Sequence, residues 1–339
     1  MAPGEFELIA ALSRRLGACD LSVVRGVGDD AAVVDVGSQW LALTVDALVE
    51  GVHFRRDWMD PYTVGRRAAA VNLSDLAAMG AEPRWGVVSL LLPAQLHPAE
   101  PACLETELAS LYDGLRAELS AAGACVVGGN ISRSPGGLVI DVTLVGACEP
   151  GRALWRSGAR PGDVLLVTGF LGQAAAGRWL LASGRSPGPW ASVLLEAYRA
   201  PRARLAEGRA AARSGWCTAA LDLSDGLASD LRRLAEASRV GVRVEAGALP
   251  ISPPTREAAR QAGVDALQWA LAGGDDYELL LAAAPERADQ LARTVEQAGG
   301  IPVHPIGVVT PREEGLTVRM PDGQCLPLPE GGWDHLRPA

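Results

Sequence analysis

The chain has 339 residues, enough for two ordinary domains, and its 48% hydrophobic and 21% charged residues describe a globular sequence, not a disordered one. A net charge of −9 argues against a nucleic-acid backbone as the main partner, and the longest nearly apolar stretch, 85–92, is far too short to span a membrane. There is no lysine: all 31 basic residues are arginine, which excludes a Walker-A lysine, a kinase β3 lysine and Schiff-base chemistry. The opening MAPGEFELIA carries Glu5 and Glu7 without a basic segment, so it does not read as a secretion signal and a cytoplasmic chain is expected. Residues 5–16 read as a short amphipathic helix, 22–47 as alternating strands, and 62–80 as an alanine-rich helix. RWGVVSLLLP is a strand, 98–122 is helical up to Gly123, and ACVVGG and GGLVIDVTLVGAC are strands joined with hairpin logic.

A Gly/Pro/Arg-rich break at 149–163 is the best domain boundary, giving domains 1–150 and 151–339. Beyond it, DVLLVTG leads through glycines into a helix, 184–190 is a loop, and TAALDLSDG opens a helix over 226–238. A strand near 241–246, a helix over 254–271, the strand YELLLAAA, a helix over 285–299 and strands to about 320 complete an α+β chain. The six cysteines (19, 103, 125, 148, 217, 325) include no C-x-x-C pair and read as buried free thiols. The four histidines are isolated, without H-E-x-x-H, so no zinc site is expected.

Carboxylates recur at the ends of apolar runs: Asp29-Asp30 in GVGDDAAVV, Asp46 after Thr44 in LALTVD, and Asp222 and Asp225 around Ser224 in LDLSDG. Asp275-Asp276 follow a glycine pair in GGDDYEL, Asn130 follows another in VVGGN, and Asn72 and Asp75 share a helix face three residues apart. Each has a local explanation: Asp225 or Ser224 suits a helix N-cap, and Asp46 can close a turn. Asp75 resists one, because a carboxylate inside an alanine-rich helix needs a partner. Oxygen ligands without His or Cys suit Mg²⁺, with Mn²⁺ as a substitute, and in a chain without lysine they point to a nucleoside triphosphate. Arg133, Arg152 and Arg156 flank glycine-rich segments and can clamp phosphate. TGFLGQAAAG either cradles an anion at a helix N-terminus or serves close helix–strand packing.

Taken in order, GEFELI, GVGDDAAVV, TVDALVEGVHF, AVNLSDLAAMGAEP, GGNISRSPG, GRALWRSGARPGD, LDLSDGLASDL and GGDDYEL cover nearly the whole chain. This set resembles the thiamine-monophosphate kinase family, of the superfamily that includes aminoimidazole ribonucleotide synthetase. The resemblance implies a two-domain α+β fold, with an N-terminal domain whose β-sheet pairs with a second copy in a homodimer and an α/β sandwich-like C-terminal domain. It implies ATP-dependent phosphorylation of thiamine monophosphate to thiamine diphosphate, with several Mg²⁺ ions and no covalent or general-base residue. Carried over by motif, Asp30, Thr44, Val45 (through its carbonyl), Asp46, Asp75, Asn130, Asp222 and Asp225 are metal ligands. Tyr112, Gly129, Asn130, Arg156 and Ser224 contact ATP, and His53, Asp275 and Trp333 contact the thiamine phosphate. The chain departs from the family pattern in having Asn130 in place of Asp and Asp275 in place of Glu. The other readings are a different ATP-dependent member of the superfamily or a non-catalytic nucleotide-binding regulator. Cys19 in LGACDL lacks the glycine-rich context a selenophosphate synthetase needs, and the chain ends HLRPA without the cysteine tail of a hydrogenase-maturation protein.

Overall fold

The computed structural model describes residues 4–16, 20–93, 101–184 and 188–333, and two sheets organise them. The first half supplies α1 (Glu5–Ser13), β1 (Val23–Arg25), β2 (Ala32–Asp35), β3 (Trp40–Val49), α2 (Pro61–Ala78), β4 (Glu82–Pro93), α3 (Pro101–Ala121), β5 (Cys125–Ser134) and β6 (Val139–Cys148). Its strands lie in the order β1-β2-β3-β6-β4-β5. Neighbours are antiparallel except β4 and β5. There α3 makes the long crossover that a parallel pair requires, and β4 lies between β5 and β6, so those two successive strands do not form the hairpin expected of them. Alternation sorts the faces: Ala42, Thr44, Val88, Leu90, Ile140 and Val142 are buried, while Leu43, Val45, Trp85 and Val87 stay exposed on the other side.

The second half supplies β7 (Val164–Thr168), α4 (Gln173–Ser183), α5 (Ser192–Arg199), α6 (Leu205–Ser214), β8 (Cys217–Asp222), α7 (Leu227–Ser238), β9 (Gly241–Glu245), α8 (Pro253–Ala262), α9 (Ala266–Ala272), β10 (Leu279–Ala283), α10 (Pro285–Gly299), β11 (Val303–Thr310), β12 (Leu316–Arg319) and β13 (Cys325–Pro327). The strand order is β13-β12-β9-β11-β7-β10-β8, with only β9 and β12 parallel. β10 is buried throughout, with Leu280 and Ala282 in one core and Leu279, Leu281 and Ala283 in the other. A strand buried on both faces reads as an unbroken apolar run, as LLLAA does.

α2 is the wall shared by the halves. Asp60 caps it, accepting the Thr63 N–H at 2.7 Å, and Pro61 takes its first turn. Ala68 and Ala69 lie in the first core, whereas Ala77 and Ala78 belong to a core of the second half. Small residues let the backbones touch. A Cβ on Gly65 or Gly114 would come within 1.9 Å of the carbonyl oxygen of Leu111 or Tyr62, and one on Gly208 within 1.9 Å of that of Ala77.

Three further expectations change. The helix over 254–271 is two helices: Gly263, at φ +73°, ends α8, and Asp265 caps α9 by accepting the Leu267 N–H at 2.9 Å. α5 and α6 had no assignment, and β13 lies beyond residue 320. Cys148 is buried and Cys217 partly so, but Cys125 and Cys325 are exposed, so the buried-thiol reading fails for those two. Cys19, the Cys103 side chain, residues 98–100 and residues 185–187 of the expected loop lie outside the described residues. Among the described residues no helix is long and apolar enough to cross a membrane.

Gly65→Ala is expected to lower stability by about 2–4 kcal/mol despite the ~1 kcal/mol gained in helix propensity, because two backbones must separate. Gly247→Ala, whose Cβ would meet Pro321 at an ordinary 4.0 Å, stays within ~0.5 kcal/mol. Urea midpoints measure both.

Candidate active site

A cleft of about 390 Å³ lies between the halves. It is lined by the β1–β2 turn, the end of β3, one face of α2, the loop after β8 and the loop after α9. At its centre, ligand oxygens of Asp30, Asp75 and Asp222 all come within 4.8 Å of one another. Three separate elements deliver them: a turn, the middle of a helix and the end of a strand.

Each carboxylate is held on one side. Asp30 Oδ1 accepts Arg156 Nη2 at 2.5 Å and Nε at 3.2 Å, while its buried Oδ2 has no hydrogen-bond partner. Asp75 accepts the Thr44 hydroxyl, and Asp222 accepts that of Ser74 at 2.5 Å. Burial, and then the Asp46, Asp222 and Asp30 carboxylates, push Asp75 well above the ordinary carboxylate range. Burial and then Asp30 push Asp222 up to about 7. Asp29 reaches about 6, from burial and then Asp30, although its Oδ1 accepts the Arg156 N–H at 3.1 Å.

The surrounding loops are tied to each other. Asp275 N–H donates to Ser224 O at 2.7 Å, Tyr277 N–H to Leu223 O at 2.8 Å, and Trp333 N–H to Asp225 O at 3.2 Å. The two acidic loops therefore form one unit at the floor of the cleft. Asn72 Oδ1 accepts the Asp46 N–H at 3.0 Å, and Arg233 pairs with both Asp225 and Asp230. His53 Nδ1 accepts the Val49 N–H at 2.9 Å, so neutral His53 carries its proton on Nε2.

Two local readings are corrected. Neither Asp225 nor Ser224 caps α7. Asp230, inside the helix, accepts the N–H groups of Asp225 and Gly226 at 3.2 and 3.1 Å. The N-terminus of α4 in TGFLGQAAAG is taken up by a carboxyl group of the chain itself: Asp276 accepts Gly172 N–H at 2.8 Å and Ala174 N–H at 3.4 Å. Those two N–H groups are thereby engaged within the chain.

Asp30, Thr44, Val45, Asp46, Asp75, Asp222, Asp225, Arg156, Ser224, His53, Asp275 and Trp333 all line this cleft. Tyr112, Gly129 and Asn130 do not. Tyr112 is half-buried on α3 against the first core, and Asn130 is exposed on the edge strand β5. Asn130 lies opposite Ser89, Ser89 opposite Asp141, and Asp141 opposite Ala47 beside Asp46. Three strand spacings, roughly 14 Å, therefore separate it from the cleft end of β3. Of the flanking arginines, Arg152 donates to Arg213 O at the surface and Arg133 is exposed; only Arg156 enters the site. Sequence reasoning missed Ser74, Arg178 and Arg233. Ser74 adjoins Asp75, and Arg233 follows Asp230 by three residues, a helical ion-pair spacing that was there to be used.

The donor set is all oxygen and the Oδ2 of Asp30 is orphaned. A carboxylate triad with Asp30 and Asp222 buried, Asp75 half-buried and one acceptor unused fits a hard divalent cation. Residues 28–148 match the model for the AIR synthase related protein, N-terminal domain, and residues 160–319 that for the AIR synthase related protein, C-terminal domain. The thiamine-monophosphate kinase of Salmonella typhimurium is 38% identical over 99% of both chains, and that of Escherichia coli 37% identical over the same shares. The solved structure of AaThiL complexed with AMPPCP and TMP matches at a TM-score of 0.83 and 33% identity, over 98% of this chain and 97% of that one.

Asp276 gives a pH test away from the triad. Burial above all raises it to about 8. Its contribution to stability is therefore complete below about pH 4 and lost as pH rises through about 8. Asp276→Asn is expected to flatten the fall in stability between pH 6 and 9 and to be the more stable form above pH 8, read from urea midpoints across that range.

Proposed function

The chain belongs to the AIR synthase-related proteins and, among them, to the thiamine-monophosphate kinases, and on that premise we propose how its cleft transfers the γ-phosphoryl group of ATP to thiamine monophosphate. The products are thiamine diphosphate and ADP. The observation that carries the reading is the convergence of Asp30, Asp75 and Asp222 with an unused buried oxygen between the halves.

The attacking atom is an oxygen of the substrate's own phosphate, already anionic at pH 7, so no general base is needed. The new P–O bond forms at the γ-phosphorus as its bond to the β–γ bridging oxygen breaks, in line, without a phosphoenzyme. Mg²⁺, or Mn²⁺ in its place, would be held by Asp30, Asp75 and Asp222 with Asp46, Thr44, the Val45 carbonyl and Asp225 around them; it supplies charge neutralisation between two anionic substrates. Thr44 and Ser74 hold the Asp75 and Asp222 carboxylates in place, and Arg156 holds that of Asp30. His53, Asp275 and Trp333 receive thiamine monophosphate at the far side of the cleft, while Arg156 and Ser224 face ATP. The first domain, 1–150, carries most of the cation site, and 151–339 completes the phosphate and substrate sites. The cytoplasm, where ATP and Mg²⁺ are plentiful, is the place of action.

Gly129 and Asn130 lie too far along the sheet to reach this chain's own cleft, and Tyr112 on α3 does not line it. Their role as ATP and metal contacts is met in a homodimer, in which the outer face of the first sheet pairs with its copy and each chain lends these residues to the other. The exposed Val45, Trp85 and Val87 on that face support such a pairing.

Purified protein is expected to form thiamine diphosphate from ATP, thiamine monophosphate and Mg²⁺, resolved chromatographically; no product would overturn the reading. Asp30→Ala and Asp75→Ala should each lower turnover about 10³-fold or more with the far-ultraviolet dichroism unchanged. Asp75→Ala and Asn130→Ala chains, each inactive alone, should recover about a quarter of wild-type activity when co-refolded as mixed dimers. No recovery would place Asn130 in its own chain's site or in none.

A further inference from the structure

Arg67 is 1% exposed, and it reaches from α2 of the first half into the second. Its Nη2 donates to Asp275 Oδ1 at 2.6 Å, its Nη1 to the carbonyl oxygen of Tyr198, and its guanidinium lies over the Tyr198 ring, 5.0 Å from the centroid. The Nε finds no partner. A fully buried cation with one donor idle is a costly arrangement, and packing alone would favour an apolar side chain of similar volume. The placement is explained by what the other two nitrogens hold.

Asp275 is one of three non-glycine residues with positive φ, at +63°, among the described residues. An aspartate tolerates that conformation only with local support. Its N–H is fixed on Ser224 O at 2.7 Å, and Arg67 fixes its carboxylate by one oxygen, leaving the side chain 27% exposed toward the cleft. We propose that Arg67 is a positioning residue that sets the carboxylate of Asp275 at the substrate end of the cleft and ties it to α2, the helix that also carries Asp75. The two ends of the site are thereby kept in one geometry. This rests on reading Asp275 as a contact to thiamine monophosphate.

The planar guanidinium serves two acceptors in different directions from one buried point. A lysine has a shorter arm and a single nitrogen, and cannot reach both Tyr198 O and Asp275 at the present backbone separation. The missing length can be returned from the other side, because Asp275→Glu adds one methylene to the acceptor. Length complementation separates positioning from simple burial of charge, which every Arg–Asp, Lys–Asp and Lys–Glu pair satisfies equally.

The test uses the full-length protein after wild-type turnover of thiamine monophosphate has been established, so failure of the kinase reading is seen first and separately. Arg67→Lys is expected to raise the KM for thiamine monophosphate about tenfold while the KM for ATP moves less than about twofold. Arg67→Lys/Asp275→Glu should bring the KM for thiamine monophosphate back to within about threefold of wild type. Where Arg67→Lys does not fold, Arg67→Gln, shorter still and without charge, should show the same selective rise. A variant that lowers the melting temperature with both KM values unchanged, an equal rise in the two KM values, or a double variant no better than Arg67→Lys would each overturn the proposal.

Discussion

Three carboxylates within 4.8 Å repel one another, and much of this fold is arranged to hold them against that repulsion. None is adjacent to another in sequence, so each is pinned by a different part of the structure. Thr44 of β3 holds Asp75, Ser74 of α2 holds Asp222 across the domain junction, and Arg156 of the linker holds Asp30. In each case one oxygen is engaged, and for Asp30 the other is buried and idle. Burial raises the proton affinity of Asp75 and Asp222, so the three carboxylates are electrostatically unfavourable together when ionised. A cation of high charge density and oxygen preference relieves that cost.

α2 is what makes this geometry rigid. One residue of it, Ser74, reaches the second half, and its neighbour Asp75 faces the first. Arg67, two turns earlier, reaches the loop after α9. The helix packs by backbone contact at Gly65 on one side and opposite Gly208 on the other, so it cannot shift without opening both domains. Stability and site geometry are coupled through one element, as expected where reacting groups must be kept within fractions of an ångström.

How much of this was legible in the sequence depended on how local the signal was. The alanine-rich run of α2 and the alternation of β3 and β6 were local, and the elements they announce are present. The acidic segments were visible because carboxylates at the ends of apolar runs have few structural uses. Their convergence was not visible, since it depends on how two sheets are set on α2. Gly172 illustrates the limit: the glycine turn before a helix does meet a carboxyl group, but it is that of Asp276, more than a hundred residues away. Asn130 illustrates the reverse, because its motif was plain while strand register places it about three spacings from the rest. Arg67 carried no signal at all, one arginine among 31.

The central claim is that Asp30, Asp75 and Asp222 form a site for a hard divalent cation. Calorimetric melting of the full-length protein against increasing Mg²⁺, at fixed pH 7.5 and ionic strength, tests it most directly. The account predicts that the wild-type melting temperature climbs steadily with Mg²⁺, as linkage to the folded state requires, and that the Asp30→Asn/Asp75→Asn variant, folded and melting cooperatively, does not respond. An equal rise in both proteins, or none in the wild type, would contradict it.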